Sequence, residues 1–302
     1  MKENKKLDVI IIGGSYAGLS AAIALGRSLR NILIIDGGSP CNSQTPQSHN
    51  FLAQDGEKPA IIAEKAKIQV LSYNTVELLN DFAINAHKIK GGFEVNTQSG
   101  REFKSKKLIF ATGVKDIMPN IKGFQECWGI SVIHCPYCHG YEFRNQKTGI
   151  MASGANAFHI ASLVNNLTND ITILTSTKAD FNADQIAKLN KHHIKIKETR
   201  LSEIEHKNGQ VKNLIFSDGS KETFNALYAL LPFKQHSDIP AALGCELTKD
   251  GYIKVDAFQK TNINGVYACG DNTNMMRSVA NAVYSGNITG AMLNKELIDD
   301  IF

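Results

Sequence analysis

Residues 7–36 hold the segment that most narrows the folds open to this chain. Leu7 to Ile12, with its apolar run Val9 to Ile12, has the length and branching of a buried parallel strand. It ends in Gly13-Gly14-Ser15-Tyr16-Ala17-Gly18; an apolar helical stretch follows over residues 19–29, and a second strand, Asn31 to Ile35, closes on Asp36. A strand, a glycine turn, a helix and a strand with an acidic residue roughly 20 positions past the glycines make up the dinucleotide-binding fingerprint. Its parts have separate physical jobs. Gly13 permits the tight turn and Gly18 permits close helix packing, while the helix start offers its N–H groups to a pyrophosphate. Asp36 would accept hydrogen bonds from the adenosine ribose. One position departs from the usual G-x-G-x-x-G: the middle glycine is Ser15, small and with a hydroxyl that can itself bond phosphate. The candidate nucleotide contacts are therefore Gly13, Gly14, Ser15, Ala17, Gly18 and Asp36. The bland alternative, a tight strand-to-helix turn with no nucleotide, is disfavoured by the strand, the helix and Asp36 occurring together.

A second unit of the same kind starts with a strand at Thr148 to Met151, turns through Ala152-Ser153-Gly154-Ala155-Asn156-Ala157, and reaches another strand over residues 170–174. The expected fold is α/β: two Rossmann-like three-layer domains, the second inserted in the first. Residues 1–119 and 238–302 would form one domain and residues 120–237 the other. A chain of 302 residues has ample room for two cores. Within the second, residues 183–191 read as an amphipathic helix. The Asn208-Gly209 and Asp218-Gly219 pairs read as turns between strands, and Asp250-Gly251 as a hairpin turn further on.

Between the two fingerprints stands Cys135-Pro136-Tyr137-Cys138. A short strand over residues 131–134 delivers Cys135, and Pro136 suits a first helical turn, so Cys138 falls near a helix start. At that spacing the sulfurs can reach one another, and the helix start lowers thiol pKa values. Three other readings compete. Cys-x-x-Cys followed by His139 is also a haem attachment pattern, but that needs an exported protein and a remote axial ligand. Zinc would need ligands that His134 and His139 sit too close to supply, and there is no second Cys-x-x-Cys. Two inert buried thiols are the plainest alternative. The remaining cysteines, Cys41, Cys127, Cys245 and Cys269, are isolated and read as ordinary.

Composition excludes other classes. The net charge is +4 with Lys and Arg scattered, which gives no reason to expect nucleic acid or membrane partners. The apolar run behind the charged N-terminal residues is too short for a signal-peptide core, and none approaches membrane-spanning length. Six cysteines, only two of them closely spaced, do not make a secreted disulfide scaffold, so a cytoplasmic location is expected.

Further motifs add a resemblance. Residues 107–110 read as a strand ending in Ala111-Thr112-Gly113. Gly265-Val266-Tyr267-Ala268-Cys269-Gly270-Asp271 reads as another, followed by Arg277-Ser278-Val279 and a small-residue helix to Leu297. With the glycine turn and the dithiol, this order resembles the thioredoxin-reductase branch of the FAD-dependent pyridine-nucleotide-disulfide oxidoreductases, over nearly the whole chain. The resemblance implies FAD as cofactor, with Thr112 and Gly113 along it, Asp271 on the ribityl chain and Ser278-Val279 over the ring system. It implies Cys138 as the flavin-proximal thiol and Cys135 as the one that exchanges with substrate. It also implies a homodimer. The loop through Asn42 and His49 resembles a subgroup that includes the gliotoxin- and holomycin-type dithiol oxidases, which makes Asn42 and His49 candidate flavin contacts beside the plain reading of loop polarity. The same subgroup is indicated by His139, which stands where the thioredoxin reductases carry Asp. Imidazole titrates nearer neutrality than carboxylate, so His139 is the candidate general acid/base.

The second turn departs from relatives that use NADPH. Ala152 replaces the first glycine, and Thr175-Ser176-Thr177-Lys178-Ala179-Asp180 stands where they carry the arginines that clamp the 2′-phosphate. Ser and Thr cannot reproduce the bidentate fork of Arg. This argues against a tight NADPH site and leaves weak NAD(P)H binding open. The expected function is FAD-dependent thiol-disulfide exchange through Cys135 and Cys138, with a thioredoxin-like protein or a small dithiol or disulfide as substrate. The electron partner could be a nicotinamide, a ferredoxin or, for a dithiol oxidase, oxygen. A non-catalytic flavoprotein redox sensor is the alternative from another class.

Overall fold

The structure is a computed structural model and describes residues 6–302; of the charged N-terminal segment read above, residues 1–5 lie outside it. In chain order the elements begin with β1 (Leu7–Ile12), α1 (Tyr16–Arg27), β2 (Ile32–Asp36), α2 (Pro59–Leu71), β3 (Val76–Asn80), β4 (Ala83–Ile89), β5 (Gly92–Thr97), β6 (Glu102–Phe110) and β7 (Val114–Asp116). They continue with α3 (Phe124–Cys127), β8 (Val132–Ile133), α4 (Pro136–His139), β9 (Thr148–Met151), α5 (Gly154–Val164), β10 (Ile171–Leu174), α6 (Ala183–Lys191), β11 (Lys195–Lys197), β12 (Leu201–Lys207), β13 (Gln210–Phe216), β14 (Lys221–Thr223) and β15 (Ala226–Ala229). The last are β16 (Phe233–Gln235), α7 (Ile239–Ala242), β17 (Val266–Ala268) and α8 (Val279–Asp299).

The chain packs as two compact units. The first comprises the described part of Met1–Ser43 with Phe51–Lys115 and Phe233–Phe302. Its sheet runs β3-β2-β1-β6-β5-β4, with β17 also pairing β6. The strands β3, β2, β1, β6 and β17 are parallel, whereas β4 and β5 add an antiparallel ribbon. This ribbon explains why β6 starts at Glu102 rather than near 107. Its first half pairs β5 and alternates exposed Glu102 and Lys104 with buried Phe103 and Ser105, and only its last three residues, Leu108, Ile109 and Phe110, are apolar throughout. One face of the sheet is covered by α1, α2 and α8; the other packs Phe93, Phe103 and Phe110 against Ile239, Cys245 and Ile253.

Two helix ends differ from the sequence expectation. α1 begins at Tyr16, directly after Ser15, so Gly18 lies inside its first turn; it ends at Arg27, and Leu29 adopts a left-handed φ of 58°. α1 and α8 pack at backbone contact. A Cβ on Gly286 would collide with Ala17 O, and Ser20 Oγ donates to Val283 O at 2.6 Å.

The second unit comprises Gln44–Asn50 and Asp116–Pro232. Its parallel sheet runs β11-β10-β9-β15-β8. α5 and α6 cover one face; the antiparallel sheet β12-β13-β14 covers the other, which makes three layers. Asn208 and Gly209, at φ 52° and 78°, form the turn joining β12 to β13, and α6 opens on a capping box between Asn182 and Gln185. The short segment Gln44–Asn50 belongs here because Thr45 packs on Gly129 and His49 meets Glu142. Among the described residues no helix is long and apolar enough to cross a membrane.

Candidate active site

The dithiol sits where β8 gives way to α4. Cys135 is the N-cap of α4, with extended backbone, and Pro136 opens the helix. The Cys135 sulfur therefore accepts the N–H of Cys138 at 3.3 Å, the position at which a capping serine would accept it. Cys138 Sγ lies 2.7 Å from Cys135 Sγ, with no disulfide between them. The Cys138 thiol, opposed by burial and aided by the Cys138 and Tyr137 N–H groups, brings the Cys135 thiol down to about 7. The sequence expectation put Cys138 near a helix start; the capping geometry makes Cys135 the activated sulfur. Elsewhere burial outweighs a hydrogen bond with a hydroxyl side chain. It pushes Cys127 up to about 11 and Cys269 up to about 12, and raises Cys245, so these thiols are inert. Cys41 is exposed.

His139 ends α4 and is held below the usual imidazole range, chiefly by burial. Nearby His49 lowers it further and Glu142 opposes both. It is thus neutral at pH 7 and able to take a proton. His49, whose motif made it a flavin-contact candidate, lies in the second unit with Nε2 3.4 Å from Glu142 Oε1. The structure therefore brings His49 to the dithiol turn. Glu142 carried no sequence signal of its own beyond its place three residues after His139. Exposed Tyr137 and Tyr141 flank the turn, and the Arg144 guanidinium covers the Tyr141 ring at 4.1 Å.

In the first unit the glycine turn forms a cradle. Gly13 has φ +108°, and a Cβ there would strike the backbone of Ala111; a Cβ on Gly18 would strike Gly13 O. Gly14 N–H donates to Asp36 Oδ1 at 3.1 Å, which ties the end of β2 to the turn. Ser15 caps α1 through its backbone alone, and the first turn of α1 carries no acidic residue. Ala17 is buried, and a Cβ on Gly270 would stand 2.9 Å from its methyl group. Asn42 Nδ2 donates to Tyr16 Oη at 3.3 Å. Asn272 Nδ2 reaches Phe110 O at 2.9 Å and Thr112 Oγ1 at 3.3 Å, joining the ends of β6 and β17. Gly113 has φ +65° with open space where a Cβ would be. Asp271 Oδ2 stands 3.8 Å from Arg277 Nε and 3.9 Å from Cys41 Sγ. Ser278 accepts the Asn281 N–H at 3.1 Å, so its oxygen serves as the cap of α8, and Val279 packs on the helical core.

The second turn is built differently. α5 opens at Gly154, φ +54°, and a Cβ there would lie 3.6 Å from Asp180 O and 4.0 Å from its carboxylate. The loop after β10 closes on itself: Thr175 Oγ1 donates to Thr177 O at 2.6 Å, and Ala179 N–H donates to Glu198 Oε1 at 2.8 Å. The Asp180 carboxylate thus stands beside a turn whose sequence pattern would otherwise address phosphates, and the Glu198 carboxylate holds the neighbouring loop.

Comparison with known proteins decides the family. The model of the pyridine nucleotide-disulphide oxidoreductases matches residues 7–286. The chain belongs to that family. The thioredoxin reductase tcpT of Claviceps purpurea is 32% identical over 316 residues, covering 100% of this chain and 97% of its own. The solved oxidoreductase of Agrobacterium tumefaciens is 36% identical with a TM-score of 0.91, covering 98% of this chain and 99% of its own. The structure of HlmI is 25% identical with a TM-score of 0.92, covering 99% of this chain and 95% of its own. This family member is therefore an oxidoreductase of the thioredoxin-reductase type, a flavoprotein class acting on disulfides. FAD fits the first unit on three observations: side-chain-free contacts at Gly13 and Gly18, an α1 N-terminus with neither side-chain cap nor acidic residue, and the Asp36 carboxylate beside it.

Proposed function

We propose that this chain is an FAD-dependent thiol-disulfide oxidoreductase in which Cys135 exchanges with substrate, Cys138 closes the internal disulfide and His139 moves the proton. The observation that carries the reading is the Cys135 sulfur, held near neutrality by its cap position and its Cys138 partner. The first unit would be the FAD domain and the second a degenerate NAD(P)-binding-like domain bearing the dithiol. Gly13, Gly14, Ser15, Ala17 and Gly18 would cradle the pyrophosphate, Asp36 the ribose, and Asn42, Thr112, Gly113, Asp271, Ser278 and Val279 the rest of the cofactor. For Ser278 the contribution is its backbone, since its hydroxyl oxygen already caps α8.

The chemistry follows from the residues. Cys135 thiolate attacks one sulfur of a substrate disulfide, forming a mixed disulfide and releasing the other sulfur as a thiolate. Neutral His139 takes the proton of Cys138 and returns it to that leaving sulfur. The Cys138 thiolate then attacks Cys135 Sγ and displaces the substrate sulfur, which leaves with a proton from solvent, so that the Cys135–Cys138 disulfide remains. Bound FAD would supply, or in the reverse direction accept, the electron pair that cycles the dithiol.

Asp180 beside the second turn and Glu198 in the loop after β10 favour a reading in which NADPH is not the main donor. In that reading a small dithiol is oxidised and oxygen takes the electrons, or ferredoxin feeds a reductase. A thioredoxin-like protein remains the substrate of the reductase direction. A homodimer goes with the resemblance, and a cytoplasmic location with the cysteine usage. The test is an anaerobic titration of the flavin absorbance of purified protein with NADPH, then NADH, then a small dithiol, followed by air. Bleaching by dithiol but not by micromolar nicotinamide, with fast reoxidation, is the expected result for the oxidase; slow reoxidation points to ferredoxin. Rapid bleaching by NADPH would overturn the reading of the second turn, and no response to any dithiol would overturn the function.

A further inference from the structure

Tyr16 opens α1 directly after the glycine turn, and it is buried. Its ring belongs to the apolar cluster of Leu19, Ile62 and Phe51 in the first unit, a place that phenylalanine would fill as well. The hydroxyl is bonded on both sides. Oη donates to Pro59 O at 3.1 Å, at the start of α2, and it accepts an N–H of Asn42 Nδ2 at 3.3 Å, from the loop after β2. The direction of this chain is fixed at one end, because a carbonyl oxygen can only accept. The single phenol proton goes to Pro59 O, so the group of Asn42 that faces Oη is its NH2 and not its carbonyl. Burial holds the phenol protonated above its usual range, so the proton stays in place. The Asn42 amide is thereby oriented. Its Oδ1 meets no hydrogen-bond partner among the described residues and is left to accept from a ligand.

We propose that Tyr16 is a positioning residue for the flavin: its hydroxyl, anchored on Pro59 O, holds the Asn42 amide so that the amide oxygen is presented to a hydrogen-bond donor of FAD. The inference rests on the reading of Asn42 as a cofactor contact. FAD offers such donors in its ribityl hydroxyls and in the imide N–H of its ring. No helix or strand lies between β2 and α2, so Asn42 stands on an irregular segment whose nearest backbone tie is a turn from Ser43 N–H to Pro40 O at 3.2 Å. A side chain on such a segment loses rotamer freedom when it takes up a ligand, and a hydrogen bond that fixes it beforehand lowers that cost. Tyr16 supplies this bond from the rigid head of α1, the same helix end that faces the pyrophosphate in the reading above.

The test is the rate at which FAD leaves the full-length, flavin-loaded protein on dilution, read by the rise of flavin fluorescence, together with the visible absorption spectrum of the bound flavin. Tyr16→Phe, which keeps the ring and its packing, is compared with Asn42→Ala and with the double variant. Each single variant is expected to release FAD about tenfold faster than the wild type and to shift the bound-flavin spectrum in the same direction. The double variant should exceed Asn42→Ala by less than about twofold, because the hydroxyl acts only through that amide. Release from Tyr16→Phe at the wild-type rate, or single effects that multiply in full in the double variant, would overturn the proposal and leave the hydroxyl a tie between α1 and α2. An Asn42→Ala protein with the wild-type release rate and spectrum would overturn the reading of Asn42 as a cofactor contact as well, which separates the two failures.

Discussion

Cys135 and His139 take their chemistry from groups a few residues away. An N-cap sulfur that receives a backbone N–H and a neighbouring thiol needs no distant cation to be a thiolate at neutral pH. Cys138→Ala removes the largest of these influences. It is expected to shift the Cys135 alkylation midpoint upward from about 7, since burial then opposes only the two N–H contacts. A midpoint that stays near 7 in the variant would assign the activation elsewhere. His139 gives a second prediction, with the opposite sense for stability. Its folded pKa lies below the ordinary value, so the unfolded chain gains a proton first as pH falls through the ordinary imidazole range. Stability should therefore decline there, and His139→Gln should flatten that decline in melts across acid pH. The same variant should lower thiol-disulfide turnover by about a hundredfold, within the usual span for a general acid or base.

Among the elements, the packing of α1 on α8 is set by glycines rather than by large apolar side chains. Gly286 lies against Ala17 O, in the turn that begins the cradle, so Gly286→Ala overpacks the crossing. The expected cost is about 2 kcal/mol in chemical denaturation, together with weaker flavin retention. A second tie joins β6, β17 and the end of α8. Glu296 receives Lys107 at 2.5 Å, Lys260 at 2.7 Å and the Tyr267 hydroxyl at 2.7 Å. Burial pushes this carboxyl up, but the three donors outweigh it and hold it at about 2. A depressed carboxylate stabilises the fold above its unfolded pKa, and the contribution disappears as pH falls from the ordinary carboxylate range toward 2. Glu296→Gln should cost about 3 kcal/mol at neutral pH, because Lys107 keeps only Asp300, and the deficit should narrow in acid. Elements such as these were unequally legible from sequence. β1, β9 and α6 are clear because their periodicity and caps are local. The early start of β6 was hidden because its polar half answers to β5, and the start of α1 was hidden because Gly18 resembles a turn residue although it packs inside a helix.

The whole molecule joins two units of related architecture, and the legibility of the site follows from where its parts come from. The cradle and the dithiol are contiguous motifs and could be read residue by residue. His49 could be read only as a loop residue, because its partner Glu142 is remote in sequence and meets it through the packing of Gln44–Asn50 on the second unit. The second turn could be read as lacking arginines, but the carboxylates of Asp180 beside it and Glu198 in the loop after β10 emerge only from tertiary structure. The account stands on electrons passing between flavin and substrate through this one pair of sulfurs. The most direct measurement is the anaerobic rate of flavin bleaching by a small dithiol in the wild type, in Cys135→Ser and in Cys138→Ser. Bleaching in the wild type and its near-complete loss in both variants is the predicted result. Wild-type bleaching rates in either variant would contradict it.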